Sequence, residues 1–147
     1  MATFNSPDLM TKPRHMGEFG NCVVVWGAVT PTAGALADVY RPVVIPGGME
    51  VTDLIFNFPD MDTGGTAFAV KIGYQPVNAA DGPDIDDDYF SAATTVLSGA
   101  TKELRCVFDP IKFERPVFVI LTVTVAATTF VSGKIVAKVY GDGLGIQ

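Results

Sequence analysis

The sequence predicts an all-β protein: an antiparallel β-sandwich of jelly-roll type, with an extended N-terminal arm and at most one short helix. Two observations carry this. Seven or eight short runs alternate apolar and polar residues with a period of two, the spacing of a strand with one buried face. Gly, Pro, Asp and Asn punctuate the chain between those runs, as the turns of an all-β fold require. The 147 residues suffice for one domain with a core of its own, and a mean hydropathy of +0.33 places the chain among globular proteins.

Residues 1–19, "MATFNSPDLMTKPRHMGEF", are polar, carry two prolines and show no period; they read as an arm lacking the apolar stretch of a signal peptide. The sandwich is expected over 20–141, with 142–147, "DGLGIQ", a loose tail. The first strand is "CVVVWGAV" (22–29). Next comes "ADVYRPVVIP" (37–46), in which Pro42 cannot donate a ladder hydrogen bond and so predicts an edge or a bulge. After the Pro46-Gly47-Gly48 turn, "MEVTDLIFNFP" (49–59) sets Leu54, Phe56 and Phe58 on one face. "TAFAVKIGY" (66–74) does the same with Phe68, Val70, Ile72 and Tyr74.

The acidic loop "NAADGPDIDDD" (78–88) leads to the one candidate helix. Asp88 would cap it, Phe90, Ala93 and Leu97 would form its apolar face, and Gly99 would end it. "KELRCVF" (102–108) then points Leu104, Cys106 and Phe108 inward. "RPVFVILTVTV" (115–125) and "GKIVAKVYG" (133–141) close the domain, with Ile135, Ala137 and Val139 inward and Lys134 and Lys138 on the solvent face. The uncharged stretch 116–133 is long enough to raise a membrane helix, but its β-branched alternation and a turn near 126–128 make it strand.

Several functions are disfavoured by composition. A net charge of −6 with ten scattered Lys and Arg does not suit nucleic acid. His15 is the only histidine, so a zinc site or a Ser-His-Asp triad lacks partners. No glycine-rich loop is followed by the Lys and helix of a phosphate cradle, and no cofactor is expected. Cys22 and Cys106 lie in apolar runs and read as two core thiols, with a disulfide open if their strands pair. Trp26 likewise falls in a buried-looking run, leaving the four tyrosines as the aromatic platforms a carbohydrate would want.

Two motifs need weighing. Asp62-Thr63-Gly64 is the triplet of aspartic proteases, which need two carboxylates sharing a proton in a dry cleft. Here Asp60 and a proline-led corner would keep it wet, and the glycines suit a turn between strands. It reads as a corner. Asp84, Asp86 and Asp88 match the first spacings of a calcium loop. Tyr89 then stands where the turn glycine belongs and Thr95 where the bidentate Glu belongs, so at most a looser surface site remains.

In segment order, "FNFPDMDTGGTAFAVKIGY", "DDDYFSAATTVLSGATKEL" and "PVFVILTVTVAATTFVSGKIVAKVYG" resemble small virion proteins of tailed bacteriophages. The nearest type is the decoration or cement protein on the outer face of the head. The resemblance spans Val51 to Tyr140 and rests on turn positions rather than on a site; residues 1–50 add little. It implies a β-sandwich without catalytic residues, made in the host cytoplasm and carried on the outer capsid surface. Such a subunit binds the major capsid protein at subunit junctions, as a dimer or trimer, and needs neither nucleic acid nor membrane. The arm is then the expected contact, with Phe4, Met10 and Met16 as apolar anchors and Lys12 and Arg14 facing acidic capsid groups. The alternative is a receptor- or carbohydrate-binding module of a head fibre or tail.

Overall fold

A computed structural model describes residues 1–5, 22–65, 67–99 and 102–144. Ten strands are found among them: β1 Thr3–Asn5, β2 Cys22–Val29, β3 Val39–Ile45, β4 Met49–Asn57, β5 Ala69–Pro76, β6 Asp86–Thr94, β7 Glu103–Cys106, β8 Ile111–Phe113, β9 Val117–Val125 and β10 Ile135–Gly143. They form two sheets. One has the order β1-β3-β9-β5-β6; the other has the order β2-β10-β4-β7, with β8 also pairing to β4. Every pairing is antiparallel except β1 on β3.

Alternation places the core between the sheets. In β2, Val23, Val25 and Val29 are buried while Val24 and Trp26 face outward. Leu54, Phe56, Phe58, Phe68, Val70, Ile72, Ile135, Ala137 and Val139 are all buried, as their spacing predicts. Each large side chain so buried contributes about 1.5–3 kcal/mol. The sheets also meet by backbone. A Cβ on Gly27 would lie 2.2 Å from the Pro42 carbonyl oxygen, so glycine there lets β2 close onto β3. Pro42 itself sits where the β3–β9 register shifts, between Tyr40 and Val43, the bulge its missing N–H predicts.

The expected helix is a strand. Residues 86–94 pair with β5, and aromatic Tyr89 and Phe90 favour that sheet edge. Phe90 and Leu97 are both buried, but Leu97 arrives by a turn after the strand, closed by the Ser98 N–H donating to the Thr95 carbonyl at 3.0 Å. Ala93, assigned to the buried face of the helix, is exposed. Gly73 lets β6 lie across β5, since a Cβ there would come within 2.1 Å of the Asp86 carbonyl oxygen. Tyr74, Tyr89, Phe90, Phe108 and Phe113 form an edge-to-face cluster that locks this side of the sandwich.

Two further expectations are corrected. Cys106 is buried, and burial pushes its thiol up to about 12, with the Asp53 charge adding to the shift. Cys22, however, is exposed, because it opens β2 on the outward face. The two lie on strands separated by β10 and β4, and both thiols are free. Trp26 is 52% exposed for the same reason of alternation. The 116–133 stretch is β9 and a loop, and no helix among the described residues is long and apolar enough to cross a membrane.

Candidate functional site at the ends of the sandwich

Because most connections cross between sheets, the loops collect at two ends. Residues 30–38, 58–65, 67–68, 95–99, 102 and 126–134 meet at one end; loops 46–48, 77–85 and 114–116 lie at the other. The first end is bound together by hydrogen bonds. Ala37 N–H donates to the Val123 carbonyl at 2.9 Å and Ala127 N–H to the Gly34 carbonyl at 3.0 Å. The Ser132 hydroxyl donates to the Pro31 carbonyl at 2.7 Å, and the Tyr40 hydroxyl to the Ala33 carbonyl at 2.8 Å. Phe68 and Phe130 stack edge to face at 6.2 Å beneath.

Asp62 is the centre of this end, and its carboxylate holds the corner together. Its carboxylate accepts from Thr129 N–H at 2.8 Å, Thr128 N–H at 3.1 Å and Gly64 N–H at 3.3 Å. The Thr129 bond does most to hold the carboxyl below its ordinary range; burial opposes it, and the Thr128 and Gly64 bonds add to it. An isolated bridge from Asp62 to Phe130 completes the tie. The carboxylate is thus occupied on both oxygens. Asp60 accepts from Asp62 N–H at 3.0 Å, turning the corner rather than sharing a proton.

Asp38 does the corresponding work in the 30–38 loop. Only 1% exposed, it accepts from Ala2 N–H at 2.7 Å and Ala35 N–H at 3.0 Å. Beside it Ala37 holds a φ of 66°, a left-handed conformation that costs a non-glycine residue about 1–3 kcal/mol. These bonds hold Leu36 outward, 63% exposed.

The other end is charged. Arg115 meets Asp81 at 3.2 Å, Lys112 meets Glu114 at 2.7 Å, and Lys71 meets Asp87 at 2.6 Å on the adjoining sheet. Between loop 77–85 and β8 lies a cleft of about 520 Å³ lined by Tyr74, Pro83, Ile111, Phe113 and the Arg115–Asp81 and Lys112–Glu114 pairs. Asp86, Asp87 and Asp88 lie along β6, which sends successive side chains to opposite faces. No cluster of metal-ligating residues occurs among the described residues.

Of the expected contact residues, Phe4 lies in β1, with its ring 5.7 Å from that of Tyr40. Met10, Lys12, Arg14 and Met16 lie outside the described residues. Asp142 and Gly143, assigned to the tail, pair in β10. Of the tyrosines, Tyr40 is fully buried, while Tyr74 and Tyr89 pack into the aromatic cluster. What sequence reasoning missed is the exposed set Leu36, Val125 and Val131: Leu36 and Val131 lie in loops, and Val125 ends β9, exposed although it continues the alternation of buried Leu121 and Val123.

The fold is one found in chains of phage capsid structures. A chain from the capsid of Ralstonia phage GP4 matches with a TM-score of 0.76 and 23% identity, over 99% of this chain and 100% of that one. One from the cyanophage Pam1 capsid asymmetric unit matches at 0.67 and 21%, over 90% and 91%. One from the acidic stable capsid structure of Helicobacter pylori bacteriophage KHP30 matches at 0.57 and 14%, over 83% and 88%. No protein-family model matches the chain, and no curated protein matches it significantly.

Proposed function

We propose that this chain is a virion structural protein that binds the outer surface of a phage head at capsid-subunit junctions and braces the shell, without catalytic activity. The observation that carries the reading is the likeness to the Ralstonia phage capsid chain, which extends over 99% of this chain and 100% of that one. A decoration subunit needs only a modest contact repeated at many symmetric sites, and a dimer or trimer multiplies each one. Its acidic charge keeps it clear of DNA. Mass spectrometry of gradient-purified particles tests the reading. Copy numbers in constant ratio to the major capsid protein are expected; absence, or a few copies per particle, would defeat it.

The arm is proposed as one contact with the major capsid protein. Phe4 and the Ala2–Asp38 bond anchor its start, so the clean test keeps residues 1–5 and replaces Met10, Lys12, Arg14 and Met16 together by serine. Weaker retention on particles is expected, with the thermal midpoint unchanged. Retention equal to the parent chain would remove the arm from the account.

A further inference from the structure

The two ends of the sandwich differ enough to assign an orientation. At the first end Leu36 is 63% exposed, Val125 45% and Val131 41%. The backbone bonds from Ala37 to Val123 and from Ala127 to Gly34 set residues 34–37 alongside 123–127, so Leu36 and Val125 sit on adjoining chains. Val131 is tied into the same cluster by its N–H, which donates to the Met61 carbonyl at 3.0 Å. Residues 30–37 and 123–133 contain no charged side chain and the Asp38 and Asp62 carboxylates nearby are buried and bonded, while Asp60, Lys102 and Lys134 of the neighbouring loops are exposed. The surface formed by residues 30–37 and 123–133 is thus uncharged, and its hydrogen bonds fix it before contact, which lowers the ordering cost of binding. The far end presents Asp81, paired with Arg115, and Asp84 to solvent.

We propose that the Leu36–Val125–Val131 end seats on the protein shell and the acidic end points away from it; this rests on the virion reading above. The size of the patch selects the occupant. Three partly exposed side chains offer roughly 200 Å² of apolar surface, against the roughly 800 Å² per partner of a stable free-standing complex. A contact this small holds only where it is repeated, as on a lattice of identical subunits. A second copy of this acidic chain does not supply that repetition.

The test measures binding of the full chain to purified shells of the source's major capsid protein. Leu36→Asp and Val131→Asp are compared with Ile85→Asp, a matched control at the far end, where Ile85 is 57% exposed. All three positions are exposed, and a thermal midpoint confirms folding. The proposal expects about tenfold weaker binding for each of the first two, and parent-like binding for Ile85→Asp. The reverse pattern overturns the orientation and leaves the virion reading intact. If Leu36→Asp instead splits an oligomer formed without shells, the face joins copies of this chain and the proposal is overturned. If the parent chain does not bind shells at all, both the orientation and the virion reading fall.

Discussion

Replacing Phe90 by alanine tests the β6 strand, the element on which sequence and structure part. Phe90 is 1% exposed, its ring 4.8 Å from Phe108, 5.4 Å from Tyr89 and 6.2 Å from Tyr74. Removing it leaves a cavity in a fixed cluster, at a cost of about 3–5 kcal/mol. The three edge-to-face pairs it loses place the value toward the upper end. At about 2–4 °C per kcal/mol for a domain of this size, the thermal midpoint should fall by roughly 6–20 °C. Ala93→Lys is the companion variant. Ala93 is exposed on the strand, so lysine there should change stability by under about 0.5 kcal/mol. A helix with Phe90, Ala93 and Leu97 on one face would bury that lysine. Urea unfolding of both variants, followed by circular dichroism, decides between them. If Ala93→Lys destabilises as much as Phe90→Ala, the strand register is wrong.

Other expectations concern the corner, the sheet contact and the thiols. The Asp62 carboxyl is held below its unfolded value, so its stabilisation is complete above about pH 4 and is lost as pH falls through the folded value. Acid unfolding of Asp62→Asn should therefore be shallower than that of the parent below that pH; identical profiles would mean the three N–H bonds do not matter. Gly27→Val forces a side chain against the Pro42 carbonyl and should cost about 1–3 kcal/mol in urea unfolding; no loss would mean the sheets are less closely packed there. In the native protein a thiol reagent should label Cys22 quickly and spare Cys106, whose burial keeps it protonated. Equal labelling rates would contradict the burial of Cys106.

Strand positions were legible because one face of each strand meets the core, which writes a period of two into the sequence. The residues 49–59 and 133–141 show it, and so does the Pro42 bulge. Segment 86–97 misled because Phe90, Ala93 and Leu97 also satisfy a helical spacing, and only the open edge of β5 decides the matter. Cys22 and Trp26 misled because a continuous apolar run hides which residues alternate outward. Asp62-Thr63-Gly64 could be read as a corner, but not as the partner of Thr128 and Thr129, some 66 residues away. The apolar end was illegible for the same reason. It is assembled from four loops distant in sequence, and Leu36 faces outward because of the φ of Ala37 and the Asp38 bonds rather than any local pattern.

The most direct measurement is a cryo-electron-microscopy reconstruction of the intact particle at a resolution that traces strands. The account predicts this sandwich on the outer surface at every equivalent subunit junction, with loops 30–38 and 126–134 against the shell and loop 77–85 toward solvent. Density for this chain only in the tail, or none on the head surface, would contradict it.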